Sequence, residues 1–380
     1  MKKLIRITTV DFAQSDYMRG HHRYMSKYFH VIGIASDTGV LSHIAEYEGV
    51  RMINVPMDRK INVVKDFKAI YRFYKIFRKE KPDIVNSNSP KSSLLSMIAA
   101  KLSGVPIRIY TVTGLRYQSC HGFLRWLLML MEKIACAFAN YVVPEGKGVL
   151  KCLKNDHITS KPLMVIYNGN INGVNTSFYN KDAIITAGLR GQLGIKNEDF
   201  VFVYVGRVVK DKGMNELAWA MSKIKKDYSN CKLLLVGDFE PKYGPLMPVA
   251  DDFLHNDSCV KYVGYVNDIR PYLAIANALV FPSYREGFPN VVLQACSMGL
   301  SCLVTDINGS NEIIEDGLNG KIIPPRNKEV LLNMMKWFLD NPEDVERMSN
   351  NSRDIVKEKY EQDDVWCHWK DYYFSLLKNG

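Results

Sequence analysis

Short apolar runs alternate with helical stretches along the first half of the chain. The runs are typical of buried strands, and the stretches between them, such as Lys65–Glu80 with its basic face, are typical of surface helices. This alternation predicts a parallel sheet covered by helices on both faces. The predicted strands are Leu4–Val10, Val31–Ser36, Arg51–Pro56, Asp83–Asn88, Arg108–Thr113 and Tyr141–Pro144, and a further helix is predicted at Ser92–Leu102.

The segment Y-N-G-N-I-N-G-V-N-T-S-F, residues 167–178, marks a predicted domain boundary because it is rich in Asn and Gly and lacks periodicity. A chain of 380 residues is also too long for one ordinary core. We therefore predict two α/β domains with a cleft between them. The strands predicted beyond the boundary are Phe200–Val205, Lys232–Val236, Val260–Val263, Leu279–Pro282 and Cys302–Thr305, followed by helices Lys328–Leu339 and Pro342–Tyr360.

The composition indicates a preference for anionic partners and a reducing cellular compartment. A formal net charge of +10 favours an anionic partner, such as a phosphorylated substrate, an acidic lipid surface or nucleic acid. A basic surface without a specific partner is the alternative. The eight cysteines include no Cys-x-x-Cys pair, so neither a zinc ribbon nor a thioredoxin-type site is indicated. A reduced, cytoplasmic protein is predicted.

Apolar segments long enough to cross a membrane are not expected. Charged residues interrupt the N-terminal run M-K-K-L-I-R-I-T-T-V-D-F, which therefore predicts a first strand rather than a signal peptide. The longest apolar segment, residues 122–139, also contains three charges and falls short of the roughly 18 apolar residues that a spanning helix needs. It predicts either a buried core helix or an interfacial helix whose Trp126, Leu127, Leu128 and Leu130 dip into a membrane surface.

The first motif with chemical potential is V-Y-V-G-R-V-V-K-D-K-G, residues 203–213, where a predicted strand runs into a loop. Gly206 permits close backbone approach, and Arg207 and Lys212 bring two cations into that loop. An Arg fork and a Lys ammonium are suited to a diphosphate. The motif matches neither the Walker loop nor the dinucleotide fingerprint, and a solvated basic turn is the alternative interpretation.

The second motif is Y-R-E-G-F-P-N-V-V-L-Q-A-C-S-M-G, residues 284–299. Glu286 follows a predicted strand, and the Gly and Pro after it shape a turn that leads into a helix whose first N–H groups favour oxygen-rich ligands. Gln294 lies eight positions later, so the two side chains are spaced to grip opposite ends of one extended ligand. The alternatives are a helix N-terminal charge for Glu286 and a polar residue satisfied in the core for Gln294.

Three further polar segments follow strands. T-D-I-N-G-S-N-E-I-I-E-D-G-L-N-G, residues 305–320, is a weak signal alone. In the first domain, Arg19 and Gly20 are placed to face an anion across the cleft, and Thr113 lies at another strand end lining it. The adjacent His21 and His22 either face the same anion or are exposed surface residues, and exposure is the commoner case for such a pair.

Together these motifs resemble the large retaining GT-B glycosyltransferase family that carries the E-x7-E signature, over nearly the whole chain. The most specific parts are G-R-V-V-K-D-K-G (206–213) and E-G-F-P-N-V-V-L-Q-A (286–295), supported by segments 305–314 and 167–175. Segment 87–115 is most similar to bacterial enzymes that build capsule, O-antigen or glycan-carrier oligosaccharides. The resemblance implies a Rossmann-like acceptor domain (1–170, plus a C-terminal helix, about 361–380, that crosses back to it) and a Rossmann-like donor domain (171–360).

The resemblance also implies roles for individual residues. Arg207 and Lys212 would bind the donor diphosphate and stabilise the departing nucleotide. Glu286 would hold the donor sugar hydroxyls, and Gln294, which stands where the family has its second carboxylate, would bind the ribose through its amide. The remaining donor-binding positions are Gly206 in the basic loop, the backbone of Gly287, Phe288, Pro289 and Asn290 around the sugar, and Val263, Gly264 and Tyr265 near the base.

The reaction that follows from the resemblance is metal-independent transfer of a hexose or N-acetylhexosamine from a nucleotide sugar, expected to be UDP-linked. The expected acceptor is a saccharide on a polyprenyl diphosphate at the inner face of a bacterial plasma membrane, reached by peripheral contact. No cofactor beyond the nucleotide sugar and no nucleic-acid partner are expected. The alternatives are a sugar-nucleotide epimerase of the same fold, an inactive scaffold-like relative suggested by Gln294, and a nucleic-acid binder, which no recognised module supports.

Overall fold

The computed structural model describes residues 1–58 and 61–379, and it divides into two compact units. The first unit comprises Met1–Gly173 together with Gln362–Gly380, and the second comprises Val174–Glu361. The C-terminal segment therefore packs with the N-terminal part of the chain rather than with the sequence that precedes it. No helix among the described residues is long and apolar enough to cross a membrane.

The first unit contains a six-stranded parallel sheet in the order β3-β2-β1-β4-β5-β6 within the described residues. Its strands are β1 (Lys3–Val10), β2 (His30–Ser36), β3 (Arg51–Asn54), β4 (Ile84–Asn88), β5 (Ile107–Val112) and β6 (Tyr141–Pro144). Its helices are α1 (Phe12–Asp16), α2 (His21–Ser26), α3 (Leu41–Glu48), α4 (Val63–Glu80), α5 (Pro90–Leu102), α6 (Gly122–Phe138), α7 (Lys147–Asn155) and the C-terminal α16 (Gln362–Asn379).

The second unit repeats this plan with the sheet order β12-β11-β10-β7-β8-β9, again all parallel. Its strands are β7 (Phe200–Val205), β8 (Cys231–Val236), β9 (Val260–Gly264), β10 (Ala278–Phe281), β11 (Ser301–Thr305) and β12 (Gly320–Ile323). Its helices are α8 (Leu189–Gln192), α9 (Met214–Asp227), α10 (Pro248–Asn256), α11 (Arg270–Ala274), α12 (Asn290–Ser297), α13 (Ser310–Ile313), α14 (Lys328–Asp340) and α15 (Pro342–Tyr360).

Both sheets have the strand order of a Rossmann fold, in which the order reverses beside the first strand of the unit. The α/β class and the parallel sheets that the sequence predicts are confirmed. One strand, β12, was not predicted, because its four residues Gly-Lys-Ile-Ile lie in a turn-rich segment and form the edge of the sheet. In such sheets ligands bind beyond the carboxyl ends of the strands, where the order reverses.

The aromatic C-terminal helix α16 covers a buried polar cluster in the first unit. Arg6 in β1 is 1% exposed and donates to the hydroxyl of Tyr373 on α16, which also accepts from Asn86 Nδ2 at 2.8 Å. Asn86 Oδ1 in turn accepts from the hydroxyl of Thr111 at 2.8 Å. Burial lowers the pKa of the Arg6 guanidinium. The helix is therefore held to the sheet by hydrogen bonds as well as by apolar contact.

The histidine pair lies in the same interior, so the prediction that His21 and His22 are exposed is wrong. Both are essentially inaccessible to solvent, with exposed fractions of 0% and 1%. His22 Nε2 is 2.6 Å from Gln14 Oε1, and the His21 ring meets the edge of Trp366 on α16. Burial, reinforced by the nearby Arg6 charge, lowers the pKa of His22 to about 3 and that of His21 well below its usual range. Both rings are therefore neutral at physiological pH.

Helix α6 combines the two alternatives that its sequence left open. One face packs inward through Leu128, Ala135 and Cys136, while Phe123 and Trp126 remain exposed. For Leu128 the buried-core alternative therefore holds. The inward face follows the helical period, whereas the exposed aromatic residues sit in the first turn, beyond the edge of the apolar core.

The inward face of α6 also buries a carboxyl group, Glu132, which is 4% exposed and accepts a hydrogen bond of 2.6 Å from the hydroxyl of Tyr110. Burial raises the pKa of Glu132 from 4.5 to about 7, although the Tyr110 hydroxyl opposes the change. The folded state therefore holds this proton more tightly than the unfolded chain. The contribution of protonated Glu132 to the free energy of unfolding is fully present below pH 4.5, and it is lost as the pH rises towards about 7.

We expect Glu132→Gln to remove this pH dependence, because the amide stays neutral and still accepts from Tyr110. The stability of the variant relative to the parent should rise by about 2–3 kcal/mol between pH 5 and pH 8. Urea denaturation of both proteins at the two pH values measures this change. An equal difference at both pH values would mean that Glu132 does not titrate in this window.

Candidate active site

Two loops of the second unit meet where its strand order reverses. Strands β7 and β10 are neighbours in the sheet, so the loops that leave their carboxyl ends start side by side. The first loop ends at Gly213, whose φ of +73° favours glycine, and a Cβ there would lie 2.1 Å from the carbonyl oxygen of Pro282 in the second loop. Only glycine allows this approach.

This approach brings Lys212 and Glu286 together. The Lys212 ammonium donates to Oε1 of Glu286, and the hydroxyl of Ser283 donates to the same oxygen at 2.7 Å. Both side chains of the ion pair are 16% exposed, so it is largely shielded from solvent. All the hydrogen bonds that described residues make to the Glu286 carboxylate go to Oε1. Its second oxygen, Oε2, therefore remains available to a ligand.

Buried Tyr204 supports the backbone of Arg207. Its side chain is buried, its ring stacks on Phe281, and its hydroxyl donates to the carbonyl oxygen of Arg207 at 2.8 Å. Burial raises the pKa of Tyr204 well above its usual range; the Glu286 carboxylate adds to this effect and the Arg207 guanidinium opposes it. The Arg207 side chain itself pairs with Glu240, at 3.3 Å from Nη1 to Oε2.

Further hydrogen bonds and an ion pair hold the two loops together. The backbone N–H of Tyr284 donates to the carbonyl oxygen of Asp211 at 2.9 Å, and the Arg285 guanidinium lies 3.6 Å from the Asp211 carboxylate. The Tyr284 hydroxyl contacts both carboxylate oxygens of Glu216 at 2.7 Å. The cations and the carboxylate of this site are therefore positioned before any ligand arrives.

The predicted sugar-binding segment leads from Glu286 into α12. Phe288 is buried, with its ring 5.5 Å from that of Tyr360, and Pro289 has an extended backbone at the N-cap position of α12. Gly287 lies between the carboxylate and this buried ring, and Asn290 is the first helical residue. Phe288 and Pro289 fix the path of the chain, so the first turn of α12 starts at Asn290, three residues beyond Gly287.

Gln294 lies further along α12, where its Nε2 donates to the hydroxyl of Tyr179 at 2.9 Å. The Tyr179 carbonyl oxygen accepts from the Ser297 hydroxyl and from Arg353, each at 2.8 Å. The side chain of Gln294 therefore contacts Tyr179, a residue that the sequence did not single out and whose backbone is held by Ser297 and Arg353. With the amide nitrogen engaged in this way, the carbonyl oxygen of Gln294 is the group that can meet a ligand hydroxyl.

The predicted base-binding backbone is already engaged within the unit. The carbonyl oxygen of Gly264 accepts from the N–H of Gly237 at 2.8 Å, and the N–H of Tyr265 donates to Asp238 Oδ1 at 3.0 Å. Val263 and the exposed Tyr265 flank this turn. These bonds fix the turn beyond β9, next to the loop that carries Glu240.

Two of the first-unit residues singled out by the sequence, Arg19 and Gly20, contact the end of α3. Gly20 donates its N–H to the buried carboxylate of Glu48 at 2.6 Å, and the Arg19 guanidinium lies 5.0 Å from the ring of Tyr47. Thr113 follows β5 and is partly buried. The carboxylate next to Gly20 thus comes from the protein itself, through α3. Their predicted role at a cleft stays a prediction.

Comparisons with known proteins identify the family. Residues 187–355 match the family described as Glycosyl transferases group 1, and residues 6–145 match Glycosyl transferase 4-like. The capsular polysaccharide biosynthesis glycosyltransferase CapM of Staphylococcus aureus is 30% identical over 385 residues, covering 100% of this chain and 98% of that protein. The chain belongs to the glycosyl transferases group 1 family.

Other relatives agree with this glycosyltransferase assignment. The UDP-Gal:alpha-D-GlcNAc-diphosphoundecaprenol alpha-1,3-galactosyltransferase of Escherichia coli is 29% identical over 359 residues, 91% of this chain and 89% of that protein. Among solved structures, Anabaena Alr3699/HepE in complex with UDP superposes with a TM-score of 0.81 at 16% identity, covering 98% of this chain and 100% of the other. The fold is therefore GT-B, and the protein is a glycosyltransferase.

Proposed function

We propose that this glycosyltransferase transfers a hexose or N-acetylhexosamine, with retention of configuration, from a UDP-sugar to a saccharide carried on polyprenyl diphosphate. The acceptors named for two relatives, in Escherichia coli and Campylobacter jejuni, are saccharides on diphosphoundecaprenol. The role named for the Staphylococcus aureus relative is capsule synthesis. A place in surface polysaccharide assembly follows for this chain.

The single observation that carries the donor assignment is the shielded Lys212–Glu286 ion pair, whose lysine ends the loop that also carries Arg207. A nucleotide sugar carries a diphosphate next to a ring of hydroxyl groups, so it needs cations and a hydrogen-bond acceptor within one small site. Arg207 and Lys212 supply the first and Glu286 supplies the second. Their position where the strand order reverses is where such sheets bind ligands.

The proposed chemistry uses these groups to stabilise charge as it develops. When the bond between the sugar and the diphosphate breaks, negative charge grows on the leaving phosphate, and the positioned cations at 207 and 212 stabilise it. Oε2 of Glu286 accepts hydrogen bonds from sugar hydroxyls. The acceptor oxygen attacks from the face that the nucleotide leaves, and the departing phosphate takes its proton. Retention of configuration results.

Gln294 completes the donor site at the nucleoside end. Its carbonyl oxygen accepts from a ribose hydroxyl while its amide nitrogen remains on Tyr179. A glutamate in this position would use one oxygen to accept from the same tyrosine, so the substitution exchanges the donor and acceptor of that bond. The ribose contact therefore survives the loss of the carboxylate, and the chain is an active enzyme rather than a scaffold.

We assign the donor role to the second unit and the acceptor role to the first, including Arg19, Gly20 and Thr113. The first unit also presents two exposed groups of apolar side chains, on α4 and α6, and helix α5 packs against both of these helices. Phe67 on α4 is 68% exposed and Phe123 on α6 is 73% exposed. A lipid-linked acceptor requires an enzyme that reaches the membrane surface.

Helix α4 has the composition of an interfacial helix. Its exposed residues alternate between apolar and basic, and the Lys75 ammonium lies 4.5 Å from the centre of the Tyr71 ring. Such helices bury their apolar side chains at the lipid boundary while the cations attract anionic headgroups. We therefore place the protein at the cytoplasmic face of the plasma membrane, bound peripherally through α4 and α6.

Vesicle co-sedimentation tests this surface. We expect binding to vesicles that contain phosphatidylglycerol, little binding to pure phosphatidylcholine, and about a 10-fold or greater loss of binding for the combined variant Phe67→Ser and Trp126→Ser. Ile185→Ser in the second unit, where the side chain is 91% exposed, is the matched control and should bind as the parent does. Equal binding by all three proteins would contradict the proposed surface.

Nucleotide release tests the function as a whole. UDP-sugars are first screened for thermal stabilisation of the protein, and the stabilising donor is then incubated with and without a diphosphoundecaprenol-linked saccharide. The proposal predicts UDP release that depends on the acceptor, and a product whose anomeric configuration by NMR matches that of the donor. Conversion of the donor without an acceptor would identify an epimerase instead. Stabilisation by no UDP-sugar would contradict the donor class.

A further inference from the structure

Glu240 is a carboxylate in a place where the proposed donor site would not be expected to have one. It lies 3.3 Å from the Arg207 guanidinium, the group to which the donor diphosphate is assigned. Both side chains are partly exposed, Arg207 by 45% and Glu240 by 32%. Ion pairs with this exposure contribute little to stability. The position of Glu240 therefore calls for an explanation other than fold stability.

The backbone holds Glu240 in this position. Strand β8 is the neighbour of β7, and the loops beyond them run side by side through a bridge between Val208 and Phe239. The Val208 N–H donates to the carbonyl oxygen of Asp238 at 2.8 Å. A Cβ at Gly237, whose φ is +130°, would lie 2.1 Å from the carbonyl oxygen of Gly206. Glu240 is thus fixed beside Arg207 by the same contacts that shape the basic loop.

The two ligands that occupy this site in one reaction cycle differ in charge. In a nucleotide sugar both phosphates are esterified and carry one charge each. After transfer, the terminal phosphate of the nucleoside diphosphate is free, and its second ionisation has a pKa near 6. At neutral pH the product therefore carries about one more negative charge than the donor, at the end of the diphosphate that the sugar has just left.

We propose that Glu240 discriminates between donor and product, weakening the binding of the nucleoside diphosphate more than that of the nucleotide sugar. Its carboxylate competes for Arg207 with any phosphate, and it repels the doubly charged terminal phosphate more strongly than the esterified one. Glu240 is therefore a specificity-determining residue that favours product release. The inference rests on the proposed function, because it assumes that Arg207 binds the diphosphate.

The test compares two probes that differ only in that charge: UDP and the methyl ester of its terminal phosphate, whose dissociation constants are measured by titration calorimetry at pH 8. We expect Glu240→Gln to tighten the binding of UDP about 5- to 20-fold more than the binding of the methyl ester, since one like charge at about 4–5 Å near a protein surface is worth roughly 1–2 kcal/mol. The Kd for the methyl ester should also fall, because its terminal phosphate still carries one charge, but by a smaller factor than the Kd for UDP.

The matched control is Glu198→Gln, which removes the same charge just before β7. Glu198 thus lies at the amino ends of the strands, whereas the candidate site lies at their carboxyl ends. It should leave both dissociation constants unchanged, which separates a local effect from a change in net charge. Thermal unfolding verifies that each variant is folded. An unchanged ratio of the two constants in Glu240→Gln, or weaker binding of UDP, would overturn the inference.

Arg207→Gln separates failure of this inference from failure of the proposed function. If Arg207→Gln weakens UDP binding while Glu240→Gln changes neither constant, the inference alone is wrong. If Arg207→Gln binds UDP as the parent does, or if the parent does not bind UDP, Arg207 is not the phosphate ligand. The proposed donor site and the inference would then both be overturned.

Discussion

Glu286→Gln is expected to lower kcat/KM for sugar transfer by about 10²- to 10³-fold, the usual cost of removing one positioned electrostatic group from a transition state. The carboxylate holds the Lys212 ammonium through Oε1 and is assigned to the sugar hydroxyls through Oε2. A neutral amide provides only one acceptor oxygen for these two tasks and loses the charge that orients the lysine. Release of UDP in the presence of acceptor measures the effect.

Glu315→Gln is the matched control for this substitution. Glu315 belongs to the same unit and also pairs with a lysine, Lys359, but both side chains are well exposed and the pair lies outside the candidate site. This variant should retain full activity, and a cooperative thermal unfolding transition should verify that both variants are folded. Transfer by Glu286→Gln within about 3-fold of the parent would remove Glu286 from the proposed mechanism.

Tyr373→Phe is expected to lower the free energy of unfolding by about 2–4 kcal/mol, a large effect for the loss of one oxygen atom. That oxygen accepts hydrogen bonds from Arg6 and from Asn86, and all three residues are buried. Without it the guanidinium and the amide each retain an unsatisfied N–H in the interior. Denaturation in urea measures the loss.

Two further variants establish the cause of this effect. Tyr372→Phe removes a hydroxyl group one position earlier on the same helix, outside the cluster, and should cost far less. The double variant Arg6→Met and Tyr373→Phe should be less destabilised than the sum of its parts, since removing both partners leaves fewer buried groups unpaired. A cost below about 0.5 kcal/mol for Tyr373→Phe would show that its hydroxyl does not compensate the Arg6 charge.

The sheets of both units are largely predictable from the sequence because strands buried on both faces are mostly apolar. Phe200–Val205 and Tyr141–Pro144 occur with the predicted bounds. Strand β12 was missed because an edge strand of four residues has no period long enough to separate it from a turn. Periodicity also gives no sign that the C-terminal aromatic tail packs with the N-terminal unit.

The candidate site was predictable only in part. Glycine and charge after a strand single out Arg207, Lys212 and Glu286, because ligands meet parallel sheets at that edge. Their partners depend on which strands are neighbours, which local sequence does not encode. Tyr204 has the sequence of an ordinary strand residue, yet its hydroxyl donates to the backbone carbonyl of Arg207 in the basic loop. Glu240 pairs with Arg207 only because β8 lies beside β7.

The most direct test of the donor site is hydrogen–deuterium exchange of the intact protein with and without a saturating concentration of the UDP-sugar that stabilises it. The account predicts slower exchange in peptides that cover residues 203–217 and 281–295, the two loops that meet between β7 and β10. Unchanged exchange in both peptides, with the ligand bound and other segments protected, would contradict the account.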